Sequence, residues 1–196
     1  MQIEYEATYT NIDKDEIRQK LENAGATLVR SEYLQKRVVF NLPDGINLKG
    51  GWLRVRDEGN RITLSLKIVE GTSIESQREV LLEVNSFENA EELLMLLGAR
   101  KKAYQENKRE LWNINGVEIT IDEWPFLEPF VEIEGDSEDA VKQTSELLGF
   151  NYSDALFCSI TTLYSKKYHL PEATINNDVP KIIFAMKNPF TSRAVE

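Results

Sequence analysis

The chain is short of sulfur, imidazole and positive charge: its 196 residues hold one cysteine, one histidine and 23 basic residues against 33 acidic ones. A lone Cys158 excludes an intramolecular disulfide and reads as a buried apolar group in a reducing compartment. A nucleophilic thiol is disfavoured, because only His169 could assist it and that residue lies in a polar tail. His169 itself reads as an exposed surface residue. The net charge of −10 argues against a general electrostatic grip on nucleic acid or an anionic membrane. Any anionic ligand therefore needs a local basic cluster. No stretch approaches the roughly 18 apolar residues that cross a bilayer, and Met1-Gln2-Ile3-Glu4-Tyr5-Glu6 has neither the basic start nor the apolar run of a secretory signal. A phosphate-binding glycine loop is missing too, since Lys49-Gly50-Gly51 lacks both the spacing and the following helix. The expectation is a cytoplasmic protein, monomeric or homodimeric, with a small-molecule ligand and neither nucleic acid nor membrane as partner.

What is present is an ordinary globular composition, 41% hydrophobic and 29% charged, over a length that one core can serve. Residues 2 to 10 alternate as a strand. Asn11-Ile12-Asp13 then caps a helix over 13 to 24 that stops at Gly25. Strands follow at 26 to 30, 34 to 41, 51 to 57, 61 to 69 and 77 to 85, separated by turn signals so short that neighbours must be antiparallel. A helix over 86 to 97 ends at Gly98, and strands resume at 99 to 107, 108 to 114, 117 to 123 and 129 to 135. Ser137 caps a helix over 138 to 148, and another is expected over 153 to 168 before a tail containing Pro and Asn. The fold class is α+β: an antiparallel β-barrel of about eight strands with flanking helices. One domain is expected over 1–170, with 171–196 as a tail packing on it or extending it.

Strand parity carries the functional reading. Glu4 and Glu6 share one face of their strand, Arg54 and Arg56 one face of theirs, and Glu132 and Glu134 one face of a third. The opposite faces of Trp52-Leu53-Arg54-Val55-Arg56 and Val131-Glu132-Ile133-Glu134 are apolar and suit packing against helices. Exposed strands ordinarily mix Thr, Lys and Glu. Here acids and bases are segregated by strand, which suits an acidic and a basic wall facing one lumen. Carboxylates at Glu4, Glu6, Asp122, Glu132 and Glu134 offer hard oxygen ligands suited to Mg²⁺ or Mn²⁺. Guanidinium forks at Arg54, Arg56 and Arg109 suit phosphate oxygens. A polyphosphate would bridge the two walls.

At these residues the sequence resembles the CYTH superfamily of triphosphate tunnel metalloenzymes, which includes class IV adenylate cyclases, thiamine triphosphatases and inorganic tripolyphosphatases. The likeness runs in order from Glu4-Tyr5-Glu6 through Leu53-Arg54-Val55-Arg56, Lys67, and Glu79 with Arg78 beside it, to Lys108-Arg109, Asp122 and Val131-Glu132-Ile133-Glu134. It implies an eight-stranded tunnel in which Glu4, Glu6, Glu79, Asp122, Glu132 and Glu134 hold one or two divalent ions. Arg37, Arg54, Arg56, Lys67, Arg78, Lys108 and Arg109 would bind a triphosphate. Glu4, Glu6, Arg54, Arg56, Lys67, Arg109 and Asp122 would then carry catalysis. The implied activity is metal-dependent triphosphate hydrolysis, with inorganic tripolyphosphate first and nucleoside or thiamine triphosphate next. Adenylate cyclisation is one alternative, and non-catalytic binding of triphosphate and metal is another. One departure favours the second alternative: the family's Glu-x-Glu-x-Lys motif ends here in Thr8, so Arg37, Lys36 or Arg78 must supply the missing charge or activity falls. Lys166 and Lys167 are the candidates for a basic residue near a closing C-terminal helix. Trp112 and Trp124 read as core aromatics, Trp52 as a residue at the lumen's mouth, and Lys101-Lys102 as a solvated pair.

Overall fold

Both ends of the sheet are made by one stretch of chain. In the computed structural model, which describes residues 1–191, strands β1 (Gln2–Ile3) and β2 (Tyr5–Thr10) are separated only by Glu4, yet they sit at opposite ends of the strand order. Between them run β3 (Thr27–Asn41), β4 (Gly51–Asp57), β5 (Ile62–Val69), β6 (Gln77–Val84), β7 (Arg100–Ile114), β8 (Val117–Glu123) and β9 (Phe130–Gly135). The order is β1-β6-β5-β4-β3-β7-β8-β9-β2. Because β1 pairs with β6 and β2 pairs with β9, the N-terminal segment closes the sheet into a nearly complete antiparallel barrel. Nine strand segments thus trace the eight expected staves: the first stave breaks at Glu4, whose backbone N–H donates to the carbonyl of Gln77 at 3.0 Å. A two-residue strand, β10 (Lys181–Ile182), adds to β7 in parallel from outside.

Among the described residues, five helices flank the barrel: α1 (Lys14–Asn23), α2 (Phe87–Leu96), α3 (Glu138–Leu147), α4 (Ile160–Tyr168) and α5 (Glu172–Asp178). Two of them begin as the sequence predicts, with Asp13 and Ser137 accepting hydrogen bonds from backbone N–H groups of the first turn, and Ser86 caps α2 in the same way. The residues that follow α1, α2 and α3, Gly25, Gly98 and Gly149, have φ of 79°, 93° and 79°, a left-handed geometry that glycine adopts without steric cost.

Strand alternation sends the apolar side chains outward to these helices. Ile119, Ile121, Val131 and Ile133 of β8 and β9 are buried with Ile17 and Leu21 of α1 and Val141 of α3. Val38, Phe40 and Val55 pack with Ala90 and Leu94 of α2. A third cluster joins Trp124 and Phe130 to Leu163, Tyr164, Ile175, Ile182 and Phe190. Tyr164 fixes that cluster by donating its hydroxyl to the carbonyl of Pro125 at 2.7 Å while its ring stacks on Phe190.

The element boundaries depart from the sequence reading in three places. The strands expected at 26 to 30 and 34 to 41 are one strand, β3, because register shifts between Leu28 and Arg30 and between Arg30 and Tyr33 absorb the polar residues that resemble a loop. The strands expected at 99 to 107 and 108 to 114 are likewise one strand, β7. The helix expected at 153 to 168 starts only at Ile160, since residues 152–154 form a 3₁₀ turn and Leu156 exchanges backbone hydrogen bonds with Thr8 of β2. The tail holds α5 and β10, and its last residues, 192–196, lie outside the described ones.

Ile133 is fully buried between the barrel and α3, so Ile133→Ala should lower the unfolding free energy by roughly 2 to 5 kcal/mol in urea titrations. A loss below about 1 kcal/mol would mean that the outward face of β9 is not part of the core.

Candidate active site

The inward faces of the same strands enclose a cavity of about 670 Å³. Its lining includes Glu4, Glu6, Glu79, Glu132 and Glu134 together with Arg37, Arg54, Arg56, Lys67 and Arg109. Register explains the convergence. Glu6 lies opposite Glu134 and Thr8 opposite Glu132 across β2 and β9, Arg37 opposite Arg56 across β3 and β4, and Lys67 opposite Glu79 across β5 and β6.

Of the residues assigned to metal, triphosphate or catalysis, three do not line this cavity. Arg78 and Lys108 alternate with the inward-facing Glu79 and Arg109, so strand pleating turns them outward. Arg78 is exposed, and Lys108 joins Lys14, Glu32 and Glu123 in an ion-pair cluster that ties α1 to the barrel wall. Asp122 faces inward but is fully buried behind Arg109. Its oxygens accept from Arg109 Nε and Nη2, from Asn107 Nδ2 and from the Thr120 hydroxyl. It acts as a scaffold for Arg109 in this arrangement. Lys36 is exposed, so of the three residues weighed as substitutes for the charge missing at Thr8, only Arg37 lines the cavity. Lys166 and Lys167 are exposed, and Lys167 pairs with Glu128 on the outside.

Other residues lie where the sequence does not predict them. Lys102 lines the cavity instead of standing in solvent beside Lys101, because a register shift between Val39 and Phe40 places an irregularity in β7 at this point. Trp124 belongs to the core and also lines the cavity, with the Arg37 guanidinium 4.6 Å from its ring centroid. Trp52 lines the cavity, whereas Trp112 is a core residue whose indole N–H donates to Glu110. Cys158 faces the cavity from the segment before α4, and burial pushes its thiol up to about 11. Glu58, buried and absent from the sequence reading, lies between Arg56 at 2.6 Å and Arg61 at 2.8 Å. Its signal in the sequence was the continued parity of Arg54, Arg56 and Glu58 beyond the end of β4.

The electrostatics divide along the two walls. Burial, then the charges of Arg54, Arg56 and Arg109, hold the Arg37 guanidinium well below its ordinary range. Burial and the neighbouring Arg54 bring Arg56 down to about 10. The Nε–H groups of Arg37, Arg54 and Arg56 are buried without hydrogen-bond partners among the described residues. Three crowded guanidiniums thus keep spare donors of the kind that phosphate oxygens accept from. On the other wall, burial and the charge of Glu6 raise Glu132 to about 8 and Glu134 to about 7. Burial also raises Glu4 to about 8 against the pull of Lys67, whereas Arg54 and a hydrogen bond from Glu4 hold Glu79 at about 2 despite its burial. Glu6 and Glu134 make no hydrogen bond or ion pair with any described residue. Paired carboxylates of this kind, crowded and without partners, are hard oxygen donors that a divalent cation would compensate. The donor set therefore fits such an ion, although among the described residues no three carboxylates converge as a ready-made cage.

The model of the CYTH domain family matches residues 1–156. A comparison with curated proteins finds no match. Among solved structures, a conserved hypothetical protein from Pyrococcus furiosus is 24% identical, with a TM-score of 0.67 over 82% of this chain and 99% of that one. A Vibrio parahaemolyticus protein provisionally described as an adenylate cyclase is 14% identical, with a TM-score of 0.72 over 84% of this chain and 98% of that one. A Hippeastrum protein, provisionally an adenylyl cyclase but with a dominant triphosphatase activity, is 15% identical, with a TM-score of 0.59 over 88% of this chain and 99% of that one. At such identities the solved structures show a shared barrel fold.

The acidic wall sets a pH dependence of stability. A carboxyl whose pKa is higher folded than unfolded binds more protons in the folded state, so its stabilisation is complete below about 4.5 and is lost as pH rises toward the folded value. With Glu132 near 8 and Glu134 near 7, the melting temperature in EDTA should fall between about pH 5 and pH 8. Glu134→Gln should flatten that slope. A variant whose melting temperature tracks the wild type across the range would show that Glu134 titrates normally.

Proposed function

The chain belongs to the CYTH domain family, and from that membership we propose that its tunnel binds a triphosphate with a divalent cation and hydrolyses the terminal phosphoanhydride. The observation that carries the reading is the pairing of walls: three arginines with unpartnered Nε–H donors face a cavity whose other side presents Glu6 and Glu134, which are in no hydrogen bond or ion pair among the described residues. A polyphosphate chain is anionic enough for the first wall and, with a cation, compatible with the second.

Family membership supports a divalent ion, Mg²⁺ or Mn²⁺, which Glu6, Glu132 and Glu134 would hold and which would neutralise charge on the phosphate oxygens. Arg37, Arg54 and Arg56 would take phosphate oxygens through their spare donors, holding the chain in line along the tunnel. Lys67 and Arg109 would stabilise the negative charge that accumulates as the terminal bond to phosphorus breaks. A tunnel carboxylate with a pKa near neutrality, such as Glu134, suits uptake of the proton of the attacking water. Inorganic tripolyphosphate is the smallest substrate that satisfies these roles, followed by nucleoside and thiamine triphosphates. The cyclase alternative needs the same walls and, in addition, a ribose 3′-oxygen held over the α-phosphorus.

Phosphate release from tripolyphosphate, ATP and thiamine triphosphate with Mg²⁺ or Mn²⁺, measured beside cyclic AMP formation, tests the proposal. Release of phosphate without cyclic AMP is the expected result, and cyclic AMP as the main product from ATP would replace hydrolysis with cyclisation. Arg54→Ala removes a charge-assisted phosphate contact of roughly 1.5 to 3 kcal/mol, so kcat/KM should fall about tenfold to a hundredfold, and the melting temperature should fall as well because Glu79 loses its arginine partner at 2.9 Å. Full activity in Arg54→Ala would move the phosphate chain away from β4.

A further inference from the structure

The tunnel's charges are already partnered with one another, and the partnering is selective. Lys67 Nζ lies 2.9 Å from Glu4 Oε2. Arg109 Nη2 lies 2.6 Å from Glu132 Oε2 and 2.7 Å from Asp122 Oδ2. Arg54 pairs with Glu79 at 2.9 Å, and Arg56 with Glu58 at 2.6 Å. Arg37 differs from all of these, because its Nη2 donates to the neutral side-chain oxygens of Gln35, at 2.9 Å, and Asn107. On the acidic wall the pattern alternates. Glu6 and Glu134 are free of ion pairs among the described residues, whereas Glu4 and Glu132, each two residues earlier in the chain, are engaged by Lys67 and Arg109.

Two available carboxylates leave most of a divalent ion's oxygen shell to be filled by substrate phosphate, water or further carboxylates. Recruiting Glu4 or Glu132 means breaking an ion pair. A cation arriving alone would take Glu4 from Lys67 and Glu132 from Arg109, leaving Lys67 without a direct ion pair and Arg109 with Asp122 alone, and a polyanion arriving alone would strand Glu4 and Glu132 beside Glu6. Removing one partner of a buried pair is strongly unfavourable, but exchanging one partner for another of the same sign keeps every charge compensated. Both exchanges are complete only when both ligands are present.

Resting on the reading of this tunnel as a triphosphate site, we propose that the Lys67–Glu4 and Arg109–Glu132 ion pairs are a latch that couples its two ligands. A polyanion that takes over Lys67 and Arg109 releases Glu4 and Glu132 to the divalent cation, so each ligand raises the tunnel's affinity for the other. Linkage makes the coupling reciprocal, and its size should lie in the range of about 5- to 150-fold.

The latch can be tested without any phosphate, by following the free Mn²⁺ resonance in a titration of the full chain. Lys67→Met should bind Mn²⁺ about tenfold tighter than the wild type, because Glu4 is released. Glu4→Gln should then weaken Mn²⁺ binding about tenfold more in the Lys67→Met background than in the wild-type background. Equal weakening in the two backgrounds would overturn the latch and leave Lys67 as a charge acting at a distance. If Lys67→Met does not melt cooperatively, the wild-type chain carries the test. Its Mn²⁺ affinity, corrected for chelation by the free anion, should rise at least about fivefold in saturating imidotriphosphate, a non-hydrolysable triphosphate. Bound imidotriphosphate with unchanged Mn²⁺ affinity would overturn the coupling alone. No binding of imidotriphosphate at all would overturn the triphosphate reading and the coupling with it.

Discussion

A barrel that turns its apolar side chains outward must fill its interior with something else, and here the filling is charge. The helices α1, α2 and α3 cover the outside, so the principal hydrophobic clusters lie between barrel and helices. The lumen is left with arginines, lysine and glutamates at the distances of direct ion pairs. Desolvated charges are tolerable only when compensated, and replacing such pairs with packed apolar groups would often stabilise a protein. Retaining them is a cost to the fold that a polyanion and a cation together can recover.

That constraint is also why so much of the site was legible in the sequence. A strand buried on one face and charged on the other announces its parity, which put Glu4 with Glu6, Arg54 with Arg56 and Glu132 with Glu134 on one face of each strand, and all six line the cavity. The same rule also turns Arg78 and Lys108 outward, and including them ignored the alternation because they stood next to residues that matter. Motif adjacency is a weaker guide than pleat. Lys102 escaped for the opposite reason: an irregularity between Val39 and Phe40 changes its face, and nothing in the local residues marks it. Register shifts also hid the length of β3, because Ser31 and Glu32 look like a turn when read without the partner strand.

The C-terminal segment was the least legible part, and its physics explains why. Its helices are short, and its stability comes from a cluster in which Trp124 and Phe130 of the barrel meet Leu163, Tyr164, Ile175 and Phe190. Contacts between residues so far apart in sequence leave no periodic trace. This segment extends beyond the stretch matched by the family model, yet Cys158, Ile160, Thr161, Glu172, Ile175 and Asn176 line the cavity. One wall of the site is thus built by residues that the family pattern does not describe.

Of the residues weighed as substitutes for the motif lysine that Thr8 replaces, Arg37 is the one that lines the cavity. Thr8 is buried, lies opposite Glu132 and exchanges backbone hydrogen bonds with Leu156, so an ammonium at this position would lie close to the acidic wall. Arg37 reaches the lumen from the basic wall, stacked on Trp124 and oriented by two amide oxygens that carry no charge. A carboxylate partner would fix the guanidinium equally well but would cancel the field that draws a phosphate. Gln35 and Asn107 give direction without neutralisation, and Asn107 is itself fixed by donating to Asp122 at 2.7 Å. Arg37 therefore keeps its charge available to a ligand, whereas Lys67, Arg54, Arg56 and Arg109 must first give up a carboxylate. Lys102 also lines the cavity outside any ion pair among the described residues, so Arg37 and Lys102 are the cations there that a polyphosphate would meet without displacing a carboxylate.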